Sequence, residues 1–100
     1  MDTKTDVKVT LPIKFTGSAP SIPTDLTKAK QHFLEMLFAR TDEDERMGLR
    51  RCIDLLDQMV TYEGKLVAIK VEKKNDFYLL TFSMQFDYFV NVPKFISEIA

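Results

Sequence analysis

The chain has one cysteine, one histidine, three glycines and no tryptophan among its 100 residues. A single cysteine, Cys52, cannot form a disulfide within the chain, which favours a reducing compartment. One histidine and one cysteine are too few for an ordinary zinc site. Because Gly17, Gly48 and Gly64 are isolated, the sequence contains no glycine-rich phosphate loop. These absences remove most of the sequence signatures of catalysis and of cofactor binding.

Long apolar runs and an excess of one charge are also lacking. The longest apolar runs are far too short to span a bilayer, and residues 1–6 lack the apolar core of a signal peptide. The net charge of −1 gives no general attraction to nucleic acid or to an anionic membrane. We therefore expect one globular domain over residues 1–100, with a flexible N-terminus at residues 1–6, no membrane association and a cytoplasmic location.

Three segments alternate between apolar and polar residues, as half-buried strands do. They are residues 7–15, 66–73 and 78–90, of which the last two are joined by a turn at residues 73–76. Pro12 in the first segment has no N–H to donate to a ladder, so this strand is expected at a sheet edge. Because the hairpin loop has an even number of residues, odd-numbered positions before the turn share a face with even-numbered positions after it. The predicted core face is therefore formed by Val67, Ile69, Val71, Tyr78, Leu80 and Phe82.

Three further segments have helical spacing. The first follows residues 16–24, is capped by Ser21 or Thr24, and runs to about Arg40. The second follows the cap Thr41, carries acidic residues 42–45 in its first turn, and ends at the C-terminal cap Gly64. The buried stripe predicted for this second helix consists of Leu49, Cys52, Ile53, Leu56, Met59 and Val60.

A short terminal helix is expected over residues 94–99, docked by Phe95, Ile96 and Ile99. The predicted order is β-α-α-β-β-α. This order indicates an α+β fold, with a small antiparallel or mixed sheet and a helical hairpin packed on one of its faces.

Two isolated residues are the candidates for catalysis. His32 is a conceivable general base, but no partner motif surrounds it. Cys52 falls on an apolar stripe, where a free cysteine is usually an inert buried side chain. Acidic residues 42–45 splay around the helix axis and lack EF-hand spacing, so helix-start electrostatics explains them better than a cation site. The alternative hypothesis is that these acidic residues form a recognition patch for a basic partner. We expect no enzyme, no metal and no cofactor, and we rank an enzyme using Cys52 or His32 last.

The polar face of the sheet offers an alternative function, the binding of single-stranded nucleic acid. Sheets that bind RNA stack aromatic side chains on the bases, beside basic residues. Most aromatics of the long strand point into the predicted core instead, which weakens this hypothesis. The candidate residues are Lys8, Lys14, Lys70 and Phe77, with Phe89 as a second aromatic.

Surplus apolar surface favours the leading hypothesis, a non-enzymatic protein-binding module such as a regulator, inhibitor or adaptor. Residues after Gln85 overhang the shorter strand of the hairpin, and they either pair with the edge of residues 7–15 or join another chain by strand addition. The first helix adds apolar side chains that one sheet cannot easily cover. Alternatively, the terminal helix covers this surface. The partner is another protein or a second copy, and the candidate contacts are Leu34, Phe38, Phe86, Tyr88, Phe89 and Val90.

Overall fold

A computed structural model describes residues 4–99 and confirms the predicted order of elements. The elements are β1 (Thr5–Ile13), α1 (Leu26–Ala39), α2 (Glu43–Thr61), β2 (Lys65–Lys73), β3 (Tyr78–Phe86) and α3 (Val92–Ser97). Because β1 begins at Thr5, residues 5 and 6 belong to the strand and not to a flexible terminus. Residues 1–3 of that predicted segment lie outside the described residues. No helix within residues 4–99 is long and apolar enough to cross a membrane.

The three strands form one antiparallel sheet in the order β1-β3-β2. β1 is an edge strand, as Pro12 predicted, and hydrogen-bonds to a neighbouring strand on one side only. The alternation of the central strand places every second side chain in the core, namely Tyr78, Leu80, Phe82, Met84 and Phe86.

A β-bulge changes which residues of β2 face the core. Ile69 pairs with Phe82, as expected, but the register shifts between Leu66 and Ala68. A shift of one residue reverses the face to which side chains point. Leu66 is therefore buried and Val67 is 54% exposed. The predicted core position of Val67 is wrong.

The helical hairpin covers the inner face of the sheet. Phe33 of α1 packs against Phe82 of β3, with ring centroids 6.0 Å apart. The predicted stripe of α2 is buried from Leu49 to Met59, but Val60 is exposed and lies on the outer side, beside α1. Aliphatic and aromatic side chains of α1, α2 and all three strands form one continuous core.

Aspartates, and not the predicted residues, cap the two long helices. Asp25 and Asp42 each accept the backbone N–H three residues onward, at 2.9 and 3.0 Å. A carboxylate combines the cap hydrogen bond with a favourable interaction with the helix dipole. The predicted caps are therefore wrong, because each lies one residue or more before the observed cap. They are Ser21 or Thr24 for α1, and Thr41 for α2.

The end of α2 is a Schellman motif whose left-handed residue is Glu63, with φ 56°. The N–H of Gly64 donates to the carbonyl of Met59 at 2.8 Å, and that of Glu63 donates to Val60 at 3.1 Å. Gly64 is thus the residue after the left-handed position. Glycine is favoured at position 64 for a steric reason, because a Cβ there would overlap the ring of buried Phe86.

Candidate functional site

The predicted overhang of the long strand beyond the β2 pairing is a single residue, Phe86. β3 ends at Phe86, which pairs with Thr5 of β1, so the expected continuation of the strand to Val90 is wrong. Phe86 and Val90 are buried in the core. Phe86 and Val90 are therefore not available as surface contacts. The other four predicted contacts lie on two separate surfaces, and they are Leu34, Phe38, Tyr88 and Phe89.

The first surface is at the turn between α1 and α2. Arg46 Nη1 donates to the carbonyls of Leu37 at 2.7 Å and Arg40 at 3.0 Å, which fixes the start of α2 against the end of α1. The neighbouring residues Phe38 and Met47 are 79% and 53% exposed. We call these two side chains the turn patch. The Arg46 hydrogen bonds also satisfy carbonyls at the end of α1.

A groove on the outer side of the hairpin adjoins the turn patch. It has a volume of about 370 Å³ and is lined by Leu26, Thr27, Lys30, Gln31, Leu34 and Val60. An ion pair between Lys30 and Asp57 bridges the two helices beside it. Leu34 lies one helical turn from Phe38, so the groove and the turn patch follow one row of α1. Leu34 is partly buried against the core, whereas Phe38 is exposed.

The second surface is formed by Phe89, which is 77% exposed. Thr5 Oγ1 donates to the carbonyl of Tyr88 at 2.9 Å and accepts the N–H of Val90 at 3.1 Å. The Tyr88 hydroxyl donates to the carbonyl of Tyr62 at the end of α2. Both neighbours of Phe89 are therefore held in place. We call residues 88–90 the Phe89 arch.

An aromatic cluster supports this arch from inside. Phe86 lies 5.5 Å from Phe95 and 6.1 Å from Tyr88, and Tyr62 lies 5.2 Å from Phe95, all edge-to-face. Tyr62 donates to the carboxylate of Glu98 at 2.8 Å, and this hydrogen bond raises the pKa of Tyr62. The terminal helix thus covers Phe86 but leaves Phe89 uncovered.

Two of the three residues expected to dock the terminal helix do so. Phe95 is buried, and Ile99 is partly buried against the core. Ile96 is exposed, so its predicted docking role is wrong. α3 spans six residues, and Ile96 falls on its outer side.

The structure places two of the three predicted nucleic-acid-binding lysines, Lys8 and Lys70, on the open sheet face, on either side of β3, and Lys14 outside it. Lys8 lies on the open sheet face, opposite Ser83. Lys14 lies beyond β1 and pairs with Asp42 at the start of α2, at 3.7 Å. Lys70 Nζ lies 2.7 Å from a carboxylate oxygen of Glu72, which raises the pKa of Lys70. Two of these three lysines therefore have acidic partners.

The aromatic side chains of the strands all face the core, and Phe77 lies at the tip of the β2–β3 hairpin. A shallow surface there is lined by Phe77, Lys73, Lys74 and Asn75. The centre of the open sheet face consists instead of Leu79, Thr81, Ser83 and Gln85.

Neither edge of the sheet favours strand addition. Pro12 lies in β1, and β2 carries the bulge together with Lys65, Lys70 and Lys73. Proline, bulges and lysines are the features that protect exposed edges from pairing with another chain. The exposed aromatic side chains are therefore better contact candidates than the strand edges.

The two catalytic candidates differ in burial. Cys52 is fully buried, and burial raises the pKa of its thiol to about 12. His32 is half-buried on α1. Residues 4–99 contain no group of three or more His, Cys, Asp or Glu side chains that could hold a metal ion.

Glu45 is a buried carboxylate that we did not predict. Thr16 Oγ1 donates to its Oε1 at 2.6 Å, and Arg40 Nη1 lies 3.3 Å from its Oε2. The Arg40 guanidinium in turn lies 4.0 Å from the ring centroid of Phe15. Together these contacts attach the loop after β1 to the helical turn. Helical spacing could have revealed the burial, because Glu45 lies one turn before the core residue Leu49.

Comparison of the chain with protein-family models, with curated proteins and with solved structures finds no match. Function must therefore be inferred from the turn patch, the groove, the Phe89 arch and the charges around them.

Proposed function

We propose that this chain is a non-enzymatic protein-binding module, a cytoplasmic regulator, inhibitor or adaptor that holds its partner on the turn patch. The observation that carries the proposal is the 79% exposure of Phe38. A large aromatic side chain that is mostly exposed is the kind of residue that anchors protein interfaces.

The surroundings of Phe38 support this role. Met47, the other member of the patch, is an adaptable apolar side chain suited to a contact surface. Glu43 and Arg50, which form an ion pair with each other, lie about one turn on either side of Met47. An apolar centre with a paired, polar rim is typical of a protein–protein interface.

The experiment is affinity capture from the native host with three baits: the wild type, Phe38→Ser and the control Val67→Ser. Val67 is also an exposed apolar residue, but it lies on β2. We expect Phe38→Ser to lose specific partners that Val67→Ser retains, with the far-UV circular dichroism of all three unchanged. Identical partner sets for the three baits would contradict the proposal.

The second candidate function is the binding of single-stranded nucleic acid, now at the hairpin tip. The observation in its favour is Phe77 beside Lys73 and Lys74. The cation at Lys74 is partly neutralised by Glu72, whose carboxylate lies 3.4 Å away. This function predicts salt-sensitive binding of an oligonucleotide that Lys73→Glu weakens. No electrophoretic shift with a random oligonucleotide at low salt would remove it.

A further inference from the structure

We infer that the open face of the sheet is a second docking surface, and that its partner is an acidic amphipathic helix of another protein. This face is the side of β1, β3 and β2 that the helical hairpin does not cover. The surface is separate from the turn patch, so its role goes beyond the proposed function. Two surfaces on different layers of one domain would let the chain hold two partners at once, as an adaptor does.

The outward side chains of the three strands form this face. They alternate with the core residues, and those of the central strand β3 are half-buried whereas most of those on β1 and β2 are exposed. Two neighbouring rows across the sheet are Lys8–Ser83–Ala68 and Thr10–Thr81–Lys70. The rows place a lysine on each edge strand and hydroxyl side chains in the centre.

The net charge of −1 conceals a separation of charge between the two layers. The sheet segments, residues 4–15 and 65–86, contain seven lysines and three acidic residues, whereas the helical hairpin, residues 25–63, contains six basic and nine acidic residues. The sheet layer is therefore cationic and the helical layer is anionic. The summed field of a cationic layer attracts partners of opposite charge, so an acidic partner is favoured.

Two lysines of the open face are available to such a partner. Lys8 on β1 and Lys65 on β2 are exposed, and neither has an acidic partner within residues 4–99. The acidic groups of the face are already engaged, because Glu72 lies 2.7 Å from Lys70 and Asp6 accepts a side-chain hydrogen bond at 3.1 Å. The uncommitted cations therefore lie on both sides of the central strand.

The spacing of these cations suits a helix that lies along β3. Neighbouring strands are about 4.8 Å apart, so β1 and β2 are separated by roughly 10 Å, which is about the diameter of an α-helix. Between the two edges is a depression of about 320 Å³ whose lining includes Lys8, Val67, Ala68 and Ser83. An apolar side chain of the helix would fill this depression while carboxylates on its two flanks reach the lysines.

Nucleic acid and a second copy of the chain fit this face less well. Sheets hold single strands by stacking aromatic side chains on the bases, and the open-face residues of β1, β2 and β3 include no aromatic side chain. Two cationic sheet faces would repel each other, so a second copy would have to offer its helical layer, head to tail. Such a contact closes only as a ring and otherwise grows into a filament.

Peptide binding tests the occupant. The probes are two fluorescein-labelled peptides of one composition, glutamate, alanine and leucine, with the leucines on a single helical face in one and scrambled in the other. We expect micromolar binding of the amphipathic peptide by fluorescence anisotropy, and binding of the scrambled peptide about tenfold weaker. Amide chemical shifts should change at Lys8, Ala68 and Ser83, and not at the turn patch.

Charge reversal tests the surface. Lys8→Glu combined with Lys65→Glu should weaken binding of the amphipathic peptide about tenfold or more and reduce its dependence on salt. The matched control combines Lys28→Glu with Lys94→Glu, which changes the net charge equally at exposed lysines outside the sheet. The control should bind much as the wild type does, and far-UV circular dichroism should show that both variants are folded.

Several results would overturn the inference. They are no binding of the amphipathic peptide, equal binding of the scrambled peptide, shifts confined to the turn patch, and equal weakening by the control. A random oligonucleotide that shifts the open-face amides when the peptide does not would assign the face to nucleic acid instead. Self-association in sedimentation equilibrium that only the Lys8 and Lys65 substitutions abolish would assign it to a second copy. Loss of captured partners by Phe38→Ser would still support the proposed function in each case, so the two can fail separately.

Discussion

Glu63 has an unfavourable backbone conformation that a single substitution should relieve. Its φ of 56° is in the left-handed region, which costs a residue with a Cβ roughly 1–2 kcal/mol. Glycine there gains entropy in the unfolded state, which offsets part of the gain. We expect Glu63→Gly to raise the free energy of unfolding by about 0.5–1 kcal/mol, measured by urea denaturation.

Substitution of the adjacent glycine, Gly64, should have the opposite effect on the free energy of unfolding. The Cβ of Gly64→Ala would overlap Phe86, whose ring is fully buried and cannot move aside. We expect this substitution to lower the free energy of unfolding by about 1–3 kcal/mol. Destabilisation by Glu63→Gly would contradict the assignment of Glu63 as the left-handed residue, and stabilisation by Gly64→Ala would contradict the overlap with Phe86.

The Arg40–Glu45 pair should contribute more to stability than an exposed pair does. Arg40→Met leaves the buried Glu45 carboxylate without its cation and removes the guanidinium from Phe15. Because an uncompensated buried charge is costly, we expect a loss of roughly 2–3 kcal/mol in chemical denaturation. The matched control is Arg50→Met, which removes the exposed pair with Glu43 and should cost less than about 1 kcal/mol. Equal losses would show that Glu45 is solvated.

Asp42 should make stability depend on pH in the acid range. The hydrogen bond from the Glu45 N–H lowers the pKa of Asp42 in the folded state. Desolvation opposes this effect, and Lys14 adds to it. A group with a depressed folded pKa stabilises the protein above its unfolded pKa and loses that contribution as pH falls through the folded value. Asn at this position still caps the helix but does not titrate.

We therefore expect the wild type to be more stable than Asp42→Asn near neutral pH, with the difference shrinking as pH falls below about 4. Urea unfolding at several pH values measures the two free energies. A difference that stays constant from neutral to acid pH would mean that the carboxylate charge does not contribute.

Within the elements, β2 has the least predictable side-chain pattern. Alternation across the whole strand places Val67 in the core, whereas the bulge buries Leu66. We expect Leu66→Ala to cost about 2–4 kcal/mol and Val67→Thr to stay within about 0.5 kcal/mol, both measured by thermal or urea unfolding. The reverse order of these two losses would show that the strand alternates without a bulge.

The elements themselves could be predicted because their signals are local. Alternation and helical spacing gave three strands and three helices in the observed order. The end of β3 could not be predicted this way, since the apolar alternation continues to Val90. The path after Phe86 is set by hydrogen bonds from Tyr88 and Val90 to Tyr62 and Thr5, which are distant in sequence.

At the scale of the whole molecule, the sequence indicated surplus apolar surface, but two residues of the predicted set, Phe86 and Val90, are buried in the core. Leu34 and Phe38 follow from α1, whose apolar stripe is wider than one sheet face. Phe89 falls outside the alternation and is exposed, while Val90 continues it and is buried. Predicting the groove requires the relative position of α1 and α2, and a local sequence pattern does not contain that information.

The terminal helix tests whether the molecule unfolds as one unit. Phe95 is fully buried against Phe86 of β3 and against Tyr62 at the end of α2, so it joins three elements. We expect Phe95→Ala to lower the free energy of unfolding by about 3–5 kcal/mol, a large part of the total of a small domain.

Native-state hydrogen exchange distinguishes this result from local fraying of α3. The slowest amides of α2 and β3 should lose protection by the same free energy that urea unfolding gives, because the cluster closes the core at that end. The control Ile96→Ala, on the exposed side of the same helix, should change protection in α2 and β3 by less than about 0.5 kcal/mol. If Phe95→Ala weakened only the amides of α3, the helix would be an appendage. Phe86 would then be buried by the sheet and α2 alone, and the Phe89 arch would not depend on α3 for its position.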